Sequence, residues 1–303
     1  MQPGRDFAGI DVVLSRTPDQ AVPMARELAA RGATVRLMPL IDFELPGSTD
    51  ELKNALGRLA RGSFAWMVFT SATTVRALER TAQELGLPRL AALVPAGTKV
   101  AAVGTGTARA LHGCGLETAL LPQQDQSARG LAALWPAGPG LAGAQAAGTA
   151  GVLLPQADIA DPFLRRSLAA AGWDVSAVTA YRTVDYPAQP ARGLGGVQGE
   201  AAAGLPAASG TPDEPVWPLI SPEQFAAAAP GSRGRAVVLT SPSTARAFAH
   251  RCRPLPPGLL LIAIGDPTAA QLTELDLPPS AVAGHPTPEG IADALAAALP
   301  ARP

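Results

Sequence analysis

The residues with most chemical potential in this chain are hydroxyls and glycines at the junctions between apolar runs and helical segments. VFTSATTVRAL at 68–78 and VLTSPSTARAF at 238–248 each pass from an apolar run into a hydroxyl cluster, Thr70, Ser71 and Thr73 in one and Thr240, Ser241 and Ser243 in the other. VAAVGTGTARAL at 100–111 and LIAIGDPTAAQL at 261–272 form a second pair, aligning Gly104 with Gly265 and Thr107 with Thr268, with Thr105 beside the first. At a helix start the backbone N–H groups lack partners and the dipole presents its positive end. Such positions hold carboxylates or phosphates, and nearby hydroxyls add donors. Ser and Thr there also act as ordinary N-caps, but paired sites at matched places favour a shared binding edge.

Other chemistries fit poorly. GTGTARAL lacks the third glycine of a dinucleotide fingerprint, no suitable acid follows it, and its partner copy reads GDPTAAQL. Cys114 and Cys252 lie in unrelated contexts without CxxC spacing, and His112, His250 and His285 are scattered, so reduced core thiols are expected and no metal or other cofactor. No Ser/His/Asp set or paired carboxylates stand out, which makes charge-relay chemistry improbable.

The elements that position these loops come in two copies. Offset by 140 positions, residues 12–35 align with 152–175 without a gap, preserving Val12/Val152, Leu14/Leu154, Arg26/Arg166, Leu28/Leu168, Gly32/Gly172 and Val35/Val175. Each copy reads as strand, helix, strand, with the glycine ending the helix in the left-handed conformation. A weaker pair sets QSARGLAAL at 126–134 against HPTPEGIADAL at 285–295, where Ser127 and Thr287 look like caps preceding Gly130 and Gly290. Alternating strands and helices predict an α/β chain of two flavodoxin-like lobes, each a parallel sheet covered on both faces. All strands then end on one edge, where the hydroxyls collect. Residues 187–215, rich in Pro, Gly and Ala without periodicity, are expected to be a mobile loop, and 136–149 a smaller one.

Composition narrows the class. With 303 residues the chain suits two domains, and with only 4% aromatics its interior must be close-packed Ala, Val and Leu. A net charge of -1 removes the positive field that nucleic-acid binding needs. Neither a signal-peptide core nor an apolar run of membrane-spanning length is visible, so a cytoplasmic protein without a membrane partner is expected.

These segments, with VVLSRTPDQAVPMARELAARGATVRLMPLIDFE at the start and AGWDVSAVTAYRTV near the middle, resemble the uroporphyrinogen-III synthase family over nearly the whole chain. The resemblance implies one lobe from residues 1–39 plus 185–303 and another from 42–181. They would be joined by a two-stranded hinge near LMPLIDFEL and VTAYRTVDY, with a cleft between them. It implies a cofactor-independent hydro-lyase that closes hydroxymethylbilane, a linear tetrapyrrole with eight carboxylates, to uroporphyrinogen III. The last pyrrole ring is inverted and water is lost. Departure of hydroxide leaves a delocalised cation, which the substituted end carbon of the last ring attacks to give a spiro intermediate that fragments and recombines. Unaided closure gives the uninverted isomer, so orientation is the main task.

Under this resemblance Tyr181 is a proton donor to the leaving hydroxyl, joined by Thr107 and Thr268. Arg16, Arg182 and the hydroxyl-loop residues named above bind substrate, with Arg76, Arg109 and Arg246 as further candidate partners for its carboxylates. A monomer is expected, taking substrate from the preceding enzyme of the pathway. The family often shows two threonines after the Gly-Pro of this last motif, whereas here the run is Gly265, Asp266, Pro267, Thr268. Thr268 alone is therefore carried over, and Asp266 adds a negative charge near a proposed carboxylate site. The alternative is a bilobal small-molecule sensor, since two hinged lobes also suit closure around a ligand.

Overall fold

The computed structural model describes residues 7–138, 151–195, 215–228, 231 and 233–299. The described chain divides into two compact units. One draws on Met1–Asp42, Asp185–Pro187 and Gly210–Pro303, the other on Phe43–Val184 and Ala188–Ser209. Most of the segment expected to be a mobile loop, 196–214, and most of the smaller one, 139–149, lie outside the described residues.

The first unit is built on β1 (Ile10–Leu14), β2 (Thr34–Leu37), β8 (Gly234–Leu239), β9 (Leu260–Ala263) and β10 (Ala281–Val282), in the spatial order β10-β9-β8-β1-β2. All its pairings are parallel. Numbered along the chain this is the 2-1-3-4-5 order of a flavodoxin-like sheet. The strands are apolar on both faces because both are covered. Val12, Leu14, Ala236, Val238 and Ile262 pack towards α1 (Pro18–Ala30) and α10 (Pro288–Ala298). The alternate residues Val13, Val237, Leu239, Leu261 and Ala263 pack towards α7 (Pro222–Ala227), α8 (Pro242–Arg251) and α9 (Asp266–Glu274).

A buried ion pair stitches this sheet to α7. Arg235, on β8, donates to the Asp11 carboxylate of the neighbouring β1 at 2.9 Å and to the carbonyls of Phe225 at 2.8 Å and Ala228 at 2.9 Å. The guanidinium thereby meets carbonyl oxygens that α7 leaves without helical partners.

The second unit has β3 (Ile41–Glu44), β4 (Trp66–Phe69), β5 (Lys99–Ala102), β6 (Gly151–Ala157) and β7 (Asp174–Asp185), ordered β3-β7-β6-β4-β5. Met67, Phe69, Val100, Ala102 and Leu153 face α2 (Asp50–Ala60), α3 (Ala72–Glu84) and α4 (Thr105–Gly113). Trp66, Val68, Ala101, Val152 and Leu154 face α5 (Ala128–Ala133) and α6 (Phe163–Ala170).

The matched glycines now have physical reasons. Gly32 and Gly172 end α1 and α6 at φ of 93° and 90°, where an L side chain is strained. Gly130 and Gly290 each lie three residues past a cap, Ser127 and Thr287, whose side chains accept their N–H groups. A Cβ at Gly130 would sit 1.8 Å from the Asp125 carbonyl oxygen, and one at Gly290 2.3 Å from that of His285.

Candidate active site

In each unit the sheet has a point where helices leave neighbouring strands towards opposite faces, which is where doubly wound sheets bind ligands. In the first unit it lies between β1 and β8, since α1 and α8 pack on different faces. In the second it lies between β6 and β4, followed by α6 and α3.

Beside the first of these points, Ser15 closes β1 by donating to the Val238 carbonyl at 2.8 Å, and Arg16 and Thr17 follow. Arg16 reaches the Gln20 carbonyl at 3.4 Å, yet its Nε and the Thr17 hydroxyl are buried without a hydrogen-bond partner among the described residues. Burial pulls the Arg16 guanidinium below its ordinary pKa, opposed by the charge of Asp19. Unpaired buried donors of this kind are costly without an acceptor, so this corner favours an anion.

The neighbouring loops form an open groove of about 560 Å³ lined by Thr240, Ser241, Gly265, Asp266, Thr268 and the Ala283–Gly284 turn, among others. Ser241 caps α8. Its Oγ accepts the Thr244 N–H at 3.1 Å, and Thr244 Oγ1 donates to the Ser241 carbonyl at 2.8 Å. Gly265 is the N-cap of α9, and Thr268 is buried on its first turn. Asp266 opens α9, where an acid stabilises the helix dipole. That local role gives the added negative charge a favourable place. Ser243 accepts from Arg246 at 3.4 Å, and Arg246 also donates to Gln271.

In the second unit Ser71 caps α3, accepting the Thr74 N–H at 3.1 Å. The same Oγ lies 3.2 Å from the Tyr181 hydroxyl. Tyr181 gets there through a bulge: β7 pairs Gln156 with Thr179 but Ala157 with Tyr181, leaving Ala180 as the extra residue. Ala180 and Tyr181 therefore both enter the core that α3 covers, where strict alternation would admit one. The ring packs edge-on against Phe43 at 5.4 Å. Burial raises the phenol pKa above its ordinary value, against the Ser71 hydrogen bond and the charge of Arg76, which lower it, while Asp158 adds to the rise. Tyr181 is thus protonated at neutral pH.

Thr73 accepts from Arg76 at 3.2 Å, and Arg76 Nε is buried without a partner among the described residues. Thr70 is half-buried just past β4. Arg182 points away from the core that holds Tyr181: it is half-exposed and 3.9 Å from Asp158. Arg109 is exposed on α4.

At α4, Gly104 is the N-cap and Thr107 is buried on the first turn. The start of this helix carries an acceptor of its own. Gln126 Oε1 takes the Thr105 N–H at 2.9 Å and the Thr105 hydroxyl at 3.0 Å. In the aligned repeat Pro286 holds the place of Gln126, which leaves the start of α9 facing its groove. Sequence reasoning missed Gln126 and the bulge. Gln126 has one legible signal, its place immediately before the Ser127 cap.

Among the described residues no cluster of three His, Cys, Asp or Glu side chains is placed to hold a metal, and no helix is long and apolar enough to cross a membrane. Cys114 and Cys252 are buried free thiols.

The family profile described as uroporphyrinogen-III synthase HemD matches residues 22–293. The chain belongs to the uroporphyrinogen-III synthase family. Members of this family are cofactor-independent, lyase-type cyclases of heme biosynthesis acting on a tetrapyrrole substrate, and closure of hydroxymethylbilane to uroporphyrinogen III is the activity this chain shares. Solved structures of uroporphyrinogen III synthases share its fold. A mutant enzyme from the extremely thermophilic bacterium Thermus thermophilus is 18% identical with a TM-score of 0.60, covering 95% of this chain and 98% of that one. The Helicobacter pylori enzyme, also 18% identical, has a TM-score of 0.54 and covers 93% and 96%. A comparison with curated proteins finds no significant match.

Proposed function

We propose that Tyr181 supplies the proton that lets hydroxide leave hydroxymethylbilane, and that the sheet-edge hydroxyls, helix starts and arginines hold the carboxylates. The observation that carries this reading is the bulge, which brings a protonated phenol to the start of α3 beside Thr70, Ser71 and Thr73. General acid catalysis needs a group that is protonated at the working pH, and burial keeps Tyr181 so. Its proton passes to the departing hydroxide as the C–O bond breaks, giving water and a cation delocalised over the pyrroles. The substituted end carbon of the last ring attacks, the spiro intermediate fragments and recombines, and the proton displaced from the ring carbon in the final bond formation restores the phenol.

Arg16, with Thr17 beside it, provides an anion corner in the first unit. Thr240, Ser241, Gly265 and Thr268 line the groove there, with Ser243 on the first turn of α8 beside it, and Thr107, Gly104, Thr105 and Arg182 are the corresponding ligands in the second. In the same reading the chain is a cytoplasmic monomer that receives hydroxymethylbilane from the enzyme that makes it, since free substrate closes to the wrong isomer.

Tyr181→Phe removes the proton and keeps the ring. We expect the rate to fall by roughly 10²- to 10⁴-fold, while loss of one hydrogen bond costs about 1 kcal/mol of stability. An unchanged rate would return Tyr181 to a packing role.

A further inference from the structure

The serine caps of α3 and α8 occupy matched places but differ in one contact. In the first unit the pair closes on itself: Ser241 Oγ donates to Thr244 Oγ1 at 3.2 Å, and Thr244 Oγ1 in turn donates to the Ser241 carbonyl. In the second unit Ser71 Oγ lies 3.0 Å from Thr74 Oγ1 and 3.2 Å from the Tyr181 hydroxyl, while accepting the Thr74 N–H. Three hydroxyls, Thr74, Ser71 and Tyr181, therefore form a chain anchored at the positive end of a 13-residue helix. Thr74 is fully buried, Ser71 half-buried and Tyr181 buried, so the chain is largely shielded from water.

We propose that Ser71 is a positioning residue for Tyr181, donating its hydrogen to the phenolate oxygen that forms when the Tyr181 proton leaves with hydroxide. The inference rests on the reading of Tyr181 as that donor. It gives Ser71 a task other than gripping a carboxylate. As the Tyr181 O–H bond breaks, Ser71 turns its O–H to the phenolate and Thr74 turns its O–H to Ser71. Each oxygen keeps its own proton, and only the hydrogen bonds shift. The Thr74 N–H and the helix dipole polarise Ser71 in the direction that stabilises negative charge on Tyr181. Arg76 on α3 lies on the favourable side of this balance and Asp158, after β6, on the unfavourable side. Ser71 offsets the burial that would otherwise make the phenol a reluctant donor.

The chain has two tyrosines, so Tyr186→Phe leaves Tyr181 as its single phenol for spectroscopic titration. In that background Ser71→Ala should move the Tyr181 titration to higher pH. With Tyr181 present, Ser71→Ala should lower kcat roughly 10- to 100-fold, the worth of a hydrogen bond to a charged group. KM should stay nearly unchanged, and Ser71→Thr, which keeps the hydroxyl, should restore most of the rate. In the Tyr181→Phe background Ser71→Ala should cost nothing further in kcat. Ser221→Ala, which removes the cap of α7, controls for loss of a helix cap: it should lower stability comparably and leave kcat alone.

A Tyr181 titration that Ser71→Ala does not move would overturn the proposal, and so would a Ser71→Ala loss of equal size with and without the Tyr181 hydroxyl. If Tyr181→Phe is slow while Ser71→Ala is as fast as the parent, the relay fails and the donor reading stands. If Tyr181→Phe is itself fast, the donor reading fails, and the relay with it.

Discussion

Replacing Gln126 with alanine removes the amide oxygen that accepts both the N–H and the hydroxyl of Thr105 at the start of α4. Gln126 and Thr105 are exposed, so water replaces much of what is lost, and the net worth of the interaction is about 1 kcal/mol. Folding stability should fall by that amount, lowering Tm by roughly 1–2 °C at an unfolding entropy of about 2 cal/mol/K per residue. Substrate binding should change in the opposite sense. Gln126 occupies the position at Gly104 and Thr105 assigned to a substrate carboxylate, so that carboxylate must displace it. Removing it returns the same 1 kcal/mol to binding, a roughly fivefold lower KM. Steady-state kinetics with hydroxymethylbilane, paired with thermal unfolding, measure both effects. A KM that rises, or stays level while stability falls, would refute the displacement argument and make Gln126 a substrate contact or a cap alone.

Further predictions concern the scaffold. Asp11→Ala takes the neutralising carboxylate from the buried Arg235 guanidinium and should cost about 3–5 kcal/mol in urea unfolding. Joint replacement of Asp11 and Arg235 by Leu and Met should recover a large part of it. Gly130→Ala and Gly290→Ala each drive a Cβ into a backbone carbonyl and should destabilise by about 1–3 kcal/mol, Gly130 more, in line with its closer 1.8 Å approach. Burial pushes the Cys114 and Cys252 thiols up to about 12. Unfolded thiols lose their protons near an ordinary pKa of about 8.5 while the folded ones keep theirs, so stability should be level below about pH 8 and fall as pH rises from there towards 12. Denaturation at about pH 7 and about pH 10.5 tests the sign, and alanine at both positions should flatten the slope.

The fold was legible in the sequence because its signals are local and repeated. The apolar runs at 12–14, 152–154, 68–69 and 238–239 are strands buried on both faces. Gly32 and Gly172 mark helix ends that need positive φ, and Ser127 and Thr287 are the caps their spacing suggests. The loops carrying Ser71, Ser241, Thr107 and Thr268 open helices, as the pattern implies. What the sequence left unsaid is how those loops are used. Whether a hydroxyl faces its own helix or a partner depends on residues distant in the chain. Ser71 and Ser241 have nearly identical neighbours, yet Ser71 alone of the two meets Tyr181, because a bulge 110 residues away turns that ring. The plug at α4 likewise comes from Gln126, 21 residues on. The Arg16 corner depends on burial, which no local pattern encodes.

In the proposed mechanism the sheet edges orient the tetrapyrrole and Tyr181 starts its closure. The most direct test is the isomer composition of the product when purified protein meets hydroxymethylbilane, read by separating the uroporphyrins after oxidation. The inverted isomer should dominate and rise with enzyme concentration. Product consisting of the uninverted isomer alone, formed at the rate seen without protein, would contradict the account.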